Sequence, residues 1–287
     1  MRPVAALAFF ALTVAAAALI TNACGDDAST SPTPSPEPTA TAPALTATPA
    51  APTPPPTTTP VPDRTPSPGP EPPVPSPSPA TVVYRADTTR RAIALTFDAG
   101  SDPGFTADIL RTLRDRNLRA TFSLTGLWAE QNRDLLFAIA ADGHQIINHS
   151  YDHPSFTGLS TGDPPLTYDE RALQLSRTER TIYRYTSRTT KPYFRPPYGD
   201  LDDNVRRDVA AEGYTTIVMW TIDTLGWNGA TADQILARVR DNAVPGAIVV
   251  MHVGSASQDA AALPAVIAAL HSAGYELLTI DELLASP

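Results

Sequence analysis

Apolar and polar positions divide the chain into three zones. Val4 to Ile20 is an apolar run broken only by Thr13. Residues 25–80 then offer almost nothing to bury. From Thr81 onward apolar residues return as short clusters separated by polar stretches of helical period, which predicts βα units repeated around a parallel sheet or barrel. The clusters predict strands at Arg91–Phe97, Ala120–Leu124, Gln145–Asn148, Tyr193–Phe194, Thr215–Trp220, Ala247–Met251 and Glu276–Leu278. Phe105, Ile109, Leu110 and Leu113 form a helical stripe after the first of them. Further helices are expected at Asp169–Tyr185, with an Arg-rich exposed face, and near Asp202–Glu212, Ala232–Asn242 and Ala260–Ser272. No internal repeat is visible.

Composition then assigns the first two zones. Residues 1–24 read as an export signal: Arg2 is the positive start, the apolar run is short for a permanent span, and Ala23 precedes Cys24. Cys24 is the only cysteine of the 287 residues, so no intrachain disulfide can form. Thr21-Asn22-Ala23-Cys24 resembles a bacterial lipoprotein cleavage box, with Thr21 where Leu is usual, and makes Cys24 the expected lipidation site. An ordinarily cleaved secreted protein and an uncleaved anchor helix are the other readings. All three put the working domain outside the cytoplasm. Residues 25–80, dominated by Pro, Thr, Ser and Ala, are expected to be a disordered, semi-rigid linker. One catalytic domain, 81–287, remains. A net charge of -9 without any Lys/Arg run argues against nucleic acid and is compatible with a neutral sugar polymer. No partner-binding helix stands out.

Candidate chemistry gathers at the C-terminal ends of the predicted strands, where βα folds assemble sites from several loops. Asp98, in Thr96-Phe97-Asp98-Ala99-Gly100, ends a hydrophobic strand and is a candidate general base, although such an acid more often caps the next turn. His149 and His153, in Asn148-His149-Ser150-Tyr151-Asp152-His153-Pro154, have a spacing that lets two imidazoles converge on one divalent ion, with Zn the default. Phe194-Arg195-Pro196-Pro197-Tyr198-Gly199 is a turn stiffened by two prolines, suited to aiming a main-chain N–H at an oxyanion. Trp220 to Trp227 (WTIDTLGW) supplies aromatic faces for a sugar ring. His252 ends the run Ile248-Val249-Val250-Met251, a sensible position for a general acid.

In this order, TFDAG, NHSYDHP, RPPYG, DTLGW and VVMH resemble the five-motif signature of the polysaccharide deacetylase (NodB homology, carbohydrate esterase family 4) family, over roughly Ala92 to Leu284. Gly143-His144 also resembles that pattern. The resemblance implies an α/β fold, a distorted (β/α)7-type barrel, and metal-dependent removal of acetyl groups from N-acetylated sugars. It implies His149 and His153 as metal ligands, Asp98 as general base and His252 as general acid. It further implies Arg195 as the residue orienting the base, the Tyr198 N–H as oxyanion donor, and Trp227, Pro197 and Tyr198 at the substrate. Zn is the expected metal, with Co, Mn and Ni also compatible.

Two positions depart from the family pattern. The second acid of the first motif, the expected third metal ligand, is Ala99 here. Asp102 on the same loop is the candidate replacement, beside two alternatives: a site of two histidines completed by water, or a site of weak metal affinity. The acid expected before Trp227, as the partner of Arg195, is Gly226, and Asp223 is the candidate substitute. The expected function is therefore deacetylation of an N-acetylated envelope or extracellular glycan, peptidoglycan first, by a lipid-anchored or secreted hydrolase. The alternative is a carbohydrate-binding lipoprotein that kept the fold and lost turnover, which Ala99 motivates. A structural spacer whose important part is the stalk leaves the polar cluster unexplained.

Overall fold

The run Ala92–Ala99 is buried at every position except Asp98. Such a continuous apolar strand belongs inside a parallel sheet covered on both faces, and that is where the computed structural model of the chain places it. The structure describes residues 78–100 and 102–285. The export signal, Cys24 and the linker up to residue 77 lie outside the described residues.

Among the described residues nine strands follow in chain order: β1 (Thr81–Val83), β2 (Ala92–Ala99), β3 (Thr121–Leu124), β4 (Gln145–Asn148), β5 (Tyr193–Phe194), β6 (Thr216–Val218), β7 (Ile222–Asp223), β8 (Ile248–His252) and β9 (Glu276–Leu278). They form one sheet in the order β1-β6-β5-β4-β3-β2-β8-β7, with β9 paired to the start of β2, and every ladder is parallel. The order has two ends. The barrel implied by the resemblance is thus realised as a curled, open parallel sheet.

Among the described residues there are eight helices, of which the first seven lie in the connections between strands: α1 (Thr106–Asp115), α2 (Gly126–Gln131), α3 (Arg133–Ala141), α4 (Tyr168–Thr186), α5 (Asp203–Ala211), α6 (Ala232–Asn242), α7 (Asp259–Ser272) and α8 (Ile280–Leu284). Local chemistry sets several of their starts. Thr167 with Glu170, Thr231 with Gln234 and Thr279 with Glu282 form reciprocal capping boxes at α4, α6 and α8. The main core joins Phe97 and Phe122, whose rings stack at 5.2 Å, to Ile109 and Leu113 of α1, Trp128 of α2 and Leu263 of α7. Each such side chain contributes on the order of 1.5–3 kcal/mol when fully buried.

Most expected elements are present within a few residues; β1, β7 and α8 were not among those expected, and three further details differ. Phe105 sits at the cap of α1 and is 40% exposed, so the buried stripe begins at Thr106. Arg171, assigned to an exposed face of α4, is buried, donating to the Phe156 carbonyl and pairing with Asp208 of α5 at 2.6 Å. Residues 126–141 fold into α2 and α3, which the apolar pattern did not predict. Thr125 caps α2 by accepting the Trp128 N–H at 3.2 Å.

Candidate active site

The parallel register between β2 and β8 places Asp98 opposite His252 at the C-terminal ends of the two strands. Side chains of such a pair share one face of the sheet. Asp98 is held by a buried arginine. Arg195 is fully buried, and its guanidinium donates to Asp98 Oδ1 (2.6 Å), Thr96 Oγ1 (2.9 Å) and the carbonyls of Val218 (3.0 Å) and Met219 (3.4 Å). Burial alone would raise the Asp98 pKa. Arg195 above all, then His149 and His252, outweigh it, so the carboxylate is held below its ordinary range. Arg195 thus fixes the position of the Asp98 carboxylate. Asp223 takes no part in holding Arg195: it accepts from its own loop, at Leu225 N (2.8 Å) and Trp227 Nε1 (3.3 Å).

His149 follows β4 directly. Its Nδ1 donates to the Arg195 carbonyl at 2.8 Å, which leaves Nε2 as an acceptor, 3.8 Å from Asp98 Oδ2. His153 packs edge-on against His149, with centroids 4.9 Å apart, and against Tyr198 at 4.7 Å. Burial pushes both imidazoles down, His153 to about 3, so both are neutral at physiological pH. The loop needs an unusual backbone. Ser150 and His153 have φ of 67° and 66°, and across the cleft Tyr198 and Leu225 have 61° and 59°. Left-handed conformations cost roughly 1–2 kcal/mol at non-glycine residues and persist where the surroundings over-determine them. Here Gln174 of α4 accepts the Tyr151 and Asp152 N–H groups, and the Ser150 hydroxyl accepts that of His153.

The other expected site residues occupy the rim or its supports. Tyr198 and Trp227 are about half exposed, at 51% and 53%, while Pro197 is buried beneath the turn that carries Tyr198. His252 is mostly buried. Burial opposes its charge, but Asp259, Asp98 and Asp223 together hold it above its usual pKa. Two residues here escaped the reading of the sequence. Thr96 was visible only as an interior strand position, yet it carries the hydroxyl that receives Arg195. Asp259 stands just before the helix expected at Ala260–Ser272 and drew no reading, but it lies against His252.

The donor set fits a divalent cation in part. A neutral His149 Nε2 facing a carboxylate oxygen puts two acceptors opposite one another, an arrangement that a cation between them stabilises, and His153 adds a second neutral imidazole. A third protein ligand is not gathered there. Ala99 is 1% exposed and belongs to the apolar core. The Asp102 carboxylate accepts from the N–H and hydroxyl of Ser255, at 2.9 and 3.1 Å. Among the described residues no three His, Cys, Asp or Glu side chains converge as a metal site.

Known proteins are similar to this chain in sequence and in fold. The family described as polysaccharide deacetylase matches residues 85–217. A peptidoglycan-N-acetylglucosamine deacetylase of Bacillus cereus is 34% identical over 194 residues, covering 67% of each chain. The peptidoglycan-N-acetylglucosamine deacetylase PgdA of Listeria monocytogenes is 37% identical over 205 residues, which is 70% of this chain but only 40% of that protein's length. Among solved structures, a CE4 family pseudoenzyme from Bacillus anthracis is 33% identical with a TM-score of 0.65, covering 72% of this chain and 69% of its own. A mutant of that pseudoenzyme with restored enzymatic activity is 34% identical, again with a TM-score of 0.65 and 72% of each chain covered. With its fold, the order of its motifs and these relatives in agreement, the chain belongs to the polysaccharide deacetylase family.

Proposed function

We propose that the protein hydrolyses the N-acetyl groups of an envelope glycan, with peptidoglycan as substrate. The observation that carries this reading is the pairing of Asp98 with His252 across β2 and β8: an ionised base and a raised-pKa acid stand side by side at the C-terminal ends of two neighbouring strands. His149 and His153 would hold a divalent metal, Zn by the nitrogen character of the pair, with Co, Mn or Ni compatible. Such an ion, when bound, lowers the pKa of water and polarises a carbonyl. Asp98 takes a proton from the attacking water, fixed in place by Arg195. The Tyr198 N–H donates to the oxyanion of the tetrahedral intermediate. His252 then gives its proton to the departing sugar amine, a poor leaving group without it. Trp227, at the rim, stacks on a sugar ring, with Pro197 and Tyr198 forming the facing wall. Peptidoglycan is the substrate class because the Bacillus cereus and Listeria monocytogenes relatives named above are peptidoglycan-N-acetylglucosamine deacetylases. Cys24 as a lipid anchor and residues 25–80 as a stalk would bring the domain to that polymer.

Ala99 and the likeness to a pseudoenzyme favour one second reading, a glycan-binding protein without turnover. One experiment separates the two. The full chain is assayed for metal content and for acetate released from peptidoglycan and from acetylated chitooligosaccharides, beside an Ala99→Asp variant. Acetate release that stops in His252→Ala supports the hydrolase. A parent that holds glycan, releases no acetate, and gains both metal and turnover in Ala99→Asp is the binding protein.

A further inference from the structure

Position 226, where the family resemblance expects an acid, has no room for a side chain. A Cβ placed there would stand 2.6 Å from Asp259 Oδ2 and closer still to the Ser257 hydroxyl. The space is taken by a carboxylate that arrives from another element, the first residue of α7. Asp259 is fully buried. Its Oδ2 accepts from the His252 backbone N–H at 2.8 Å and from the Ser257 hydroxyl at 2.8 Å.

Two polar atoms beside these contacts are buried and unmatched. Asp259 Oδ1 has no hydrogen-bond partner, and neither has His252 Nδ1. The ring nitrogen lies 3.8 Å from Asp259 Oδ2, beyond a hydrogen bond but within reach after a small ring or carboxylate rotation. A buried carboxylate oxygen and a buried ring nitrogen each carry a desolvation cost when left alone. One contact between them relieves both. Arg195, meanwhile, is fully engaged without any acid from the fourth motif.

We propose that Asp259 is the positioning residue of the general acid: its carboxylate receives the Nδ1–H of His252 and presents the Nε2–H to the cleft. The acid absent from position 226 has in effect been relocated to position 259, whose carboxylate fills the same space beside His252. The glycine at 226 is the counterpart of that move. This assignment rests on the reading of His252 as the proton donor to the sugar amine.

The test uses the full chain with ¹⁵N-labelled histidine, and follows both the ring nitrogens of His252 and the kinetics of acetate release. In the parent, neutral His252 carries its proton on Nδ1. Asp259→Ala shifts the proton toward Nε2 and lowers kcat by about 10²-fold with KM little changed, as loss of aligned acid catalysis requires. Gly226→Asp alone clashes and loses activity. Gly226→Asp combined with Asp259→Ala returns the carboxylate to the vacated space and recovers the Nδ1–H form and at least tenfold in kcat. Asp259→Asn keeps the volume, so it folds, and it still loses about tenfold because an amide stabilises an imidazolium less well than a carboxylate. An Asp259→Asn protein with parental kcat, or an Asp259→Ala protein with an unaltered His252 tautomer, overturns the proposal. If the parent releases no acetate, the hydrolase reading fails, while the ring nitrogens still decide what Asp259 does.

Discussion

Arg195 Nη1 lies 2.6 Å from Asp98 Oδ1, and the arginine is wholly removed from solvent. The carboxylate itself is only slightly exposed, so each charge depends on the other. Removing one partner of a buried pair strands the other, at a cost of about 3–5 kcal/mol. Arg195→Ala should lose that much stability in urea unfolding at pH 7. Asp98 has a lowered pKa in the folded parent, so its contribution is present above the unfolded value near 4 and disappears as pH falls through the folded one. In the variant, burial acts on Asp98 without Arg195 to oppose it. The stability gap between parent and variant should therefore narrow from pH 7 to pH 4. A constant gap would show that the ion pair is not its source.

His144 gives a pH dependence of the opposite origin. Burial pushes its pKa down to about 4; Nδ1 accepts the Ala120 N–H at 3.2 Å, and the ring packs on Phe122. The unfolded chain binds a proton near pH 6.5 that the folded chain refuses until about 4. Stability is therefore complete above 6.5 and declines as pH falls through that window, by about 1.4 kcal/mol per unit for this one group. His144→Phe should flatten the slope by that amount in denaturant titrations between pH 6.5 and 4.5. An unchanged slope would place the proton uptake elsewhere, His153 being the next candidate.

Metal content should divide the candidate ligands. His149→Ala should remove the metal from the full chain, which is expected to hold about one ion. Asp102→Ala should retain it, because that carboxylate is engaged by Ser255 and its loss loosens the loop after β8. Elemental quantification after dialysis against trace metal checks both. Loss of metal in Asp102→Ala would restore the role of third ligand to that residue.

Trp227 should matter for binding and not for folding. Its ring is 53% exposed, and its Nε1 makes only long contacts, 3.3 Å, to Asp223. Trp227→Ala should leave the melting temperature within about 2 °C of the parent, since surface substitutions change stability by under about 0.5 kcal/mol. KM for glycan should rise roughly tenfold, in line with a lost aromatic contact of about 1.4 kcal/mol. An unchanged KM would place the sugar elsewhere.

Asp98, His149, His153, Arg195 and His252 could be picked out of the chain because each follows an apolar strand, and strand ends in a parallel sheet meet at one edge. Hydrophobic periodicity placed them at strand ends, and the resemblance of the ordered motifs to the family gave them their expected roles. The strands at Gln145–Asn148, Tyr193–Phe194 and Glu276–Leu278 were legible for the same reason. Helices α2 and α3 were not: they are short and joined through Asn132, and they owe their stability to packing under Trp128 and Ile139 rather than to a long amphipathic period. Which carboxylate serves which partner was decided in three dimensions. Asp223, Asp102 and Asp259 are indistinguishable as letters: the first opens the DTLGW motif, and the others lie a short way beyond TFDAG and VVMH. Folding turns the first onto its own loop, the second onto Ser255 and the third onto His252, because a short side chain serves whatever the tertiary structure sets within about 3 Å of it.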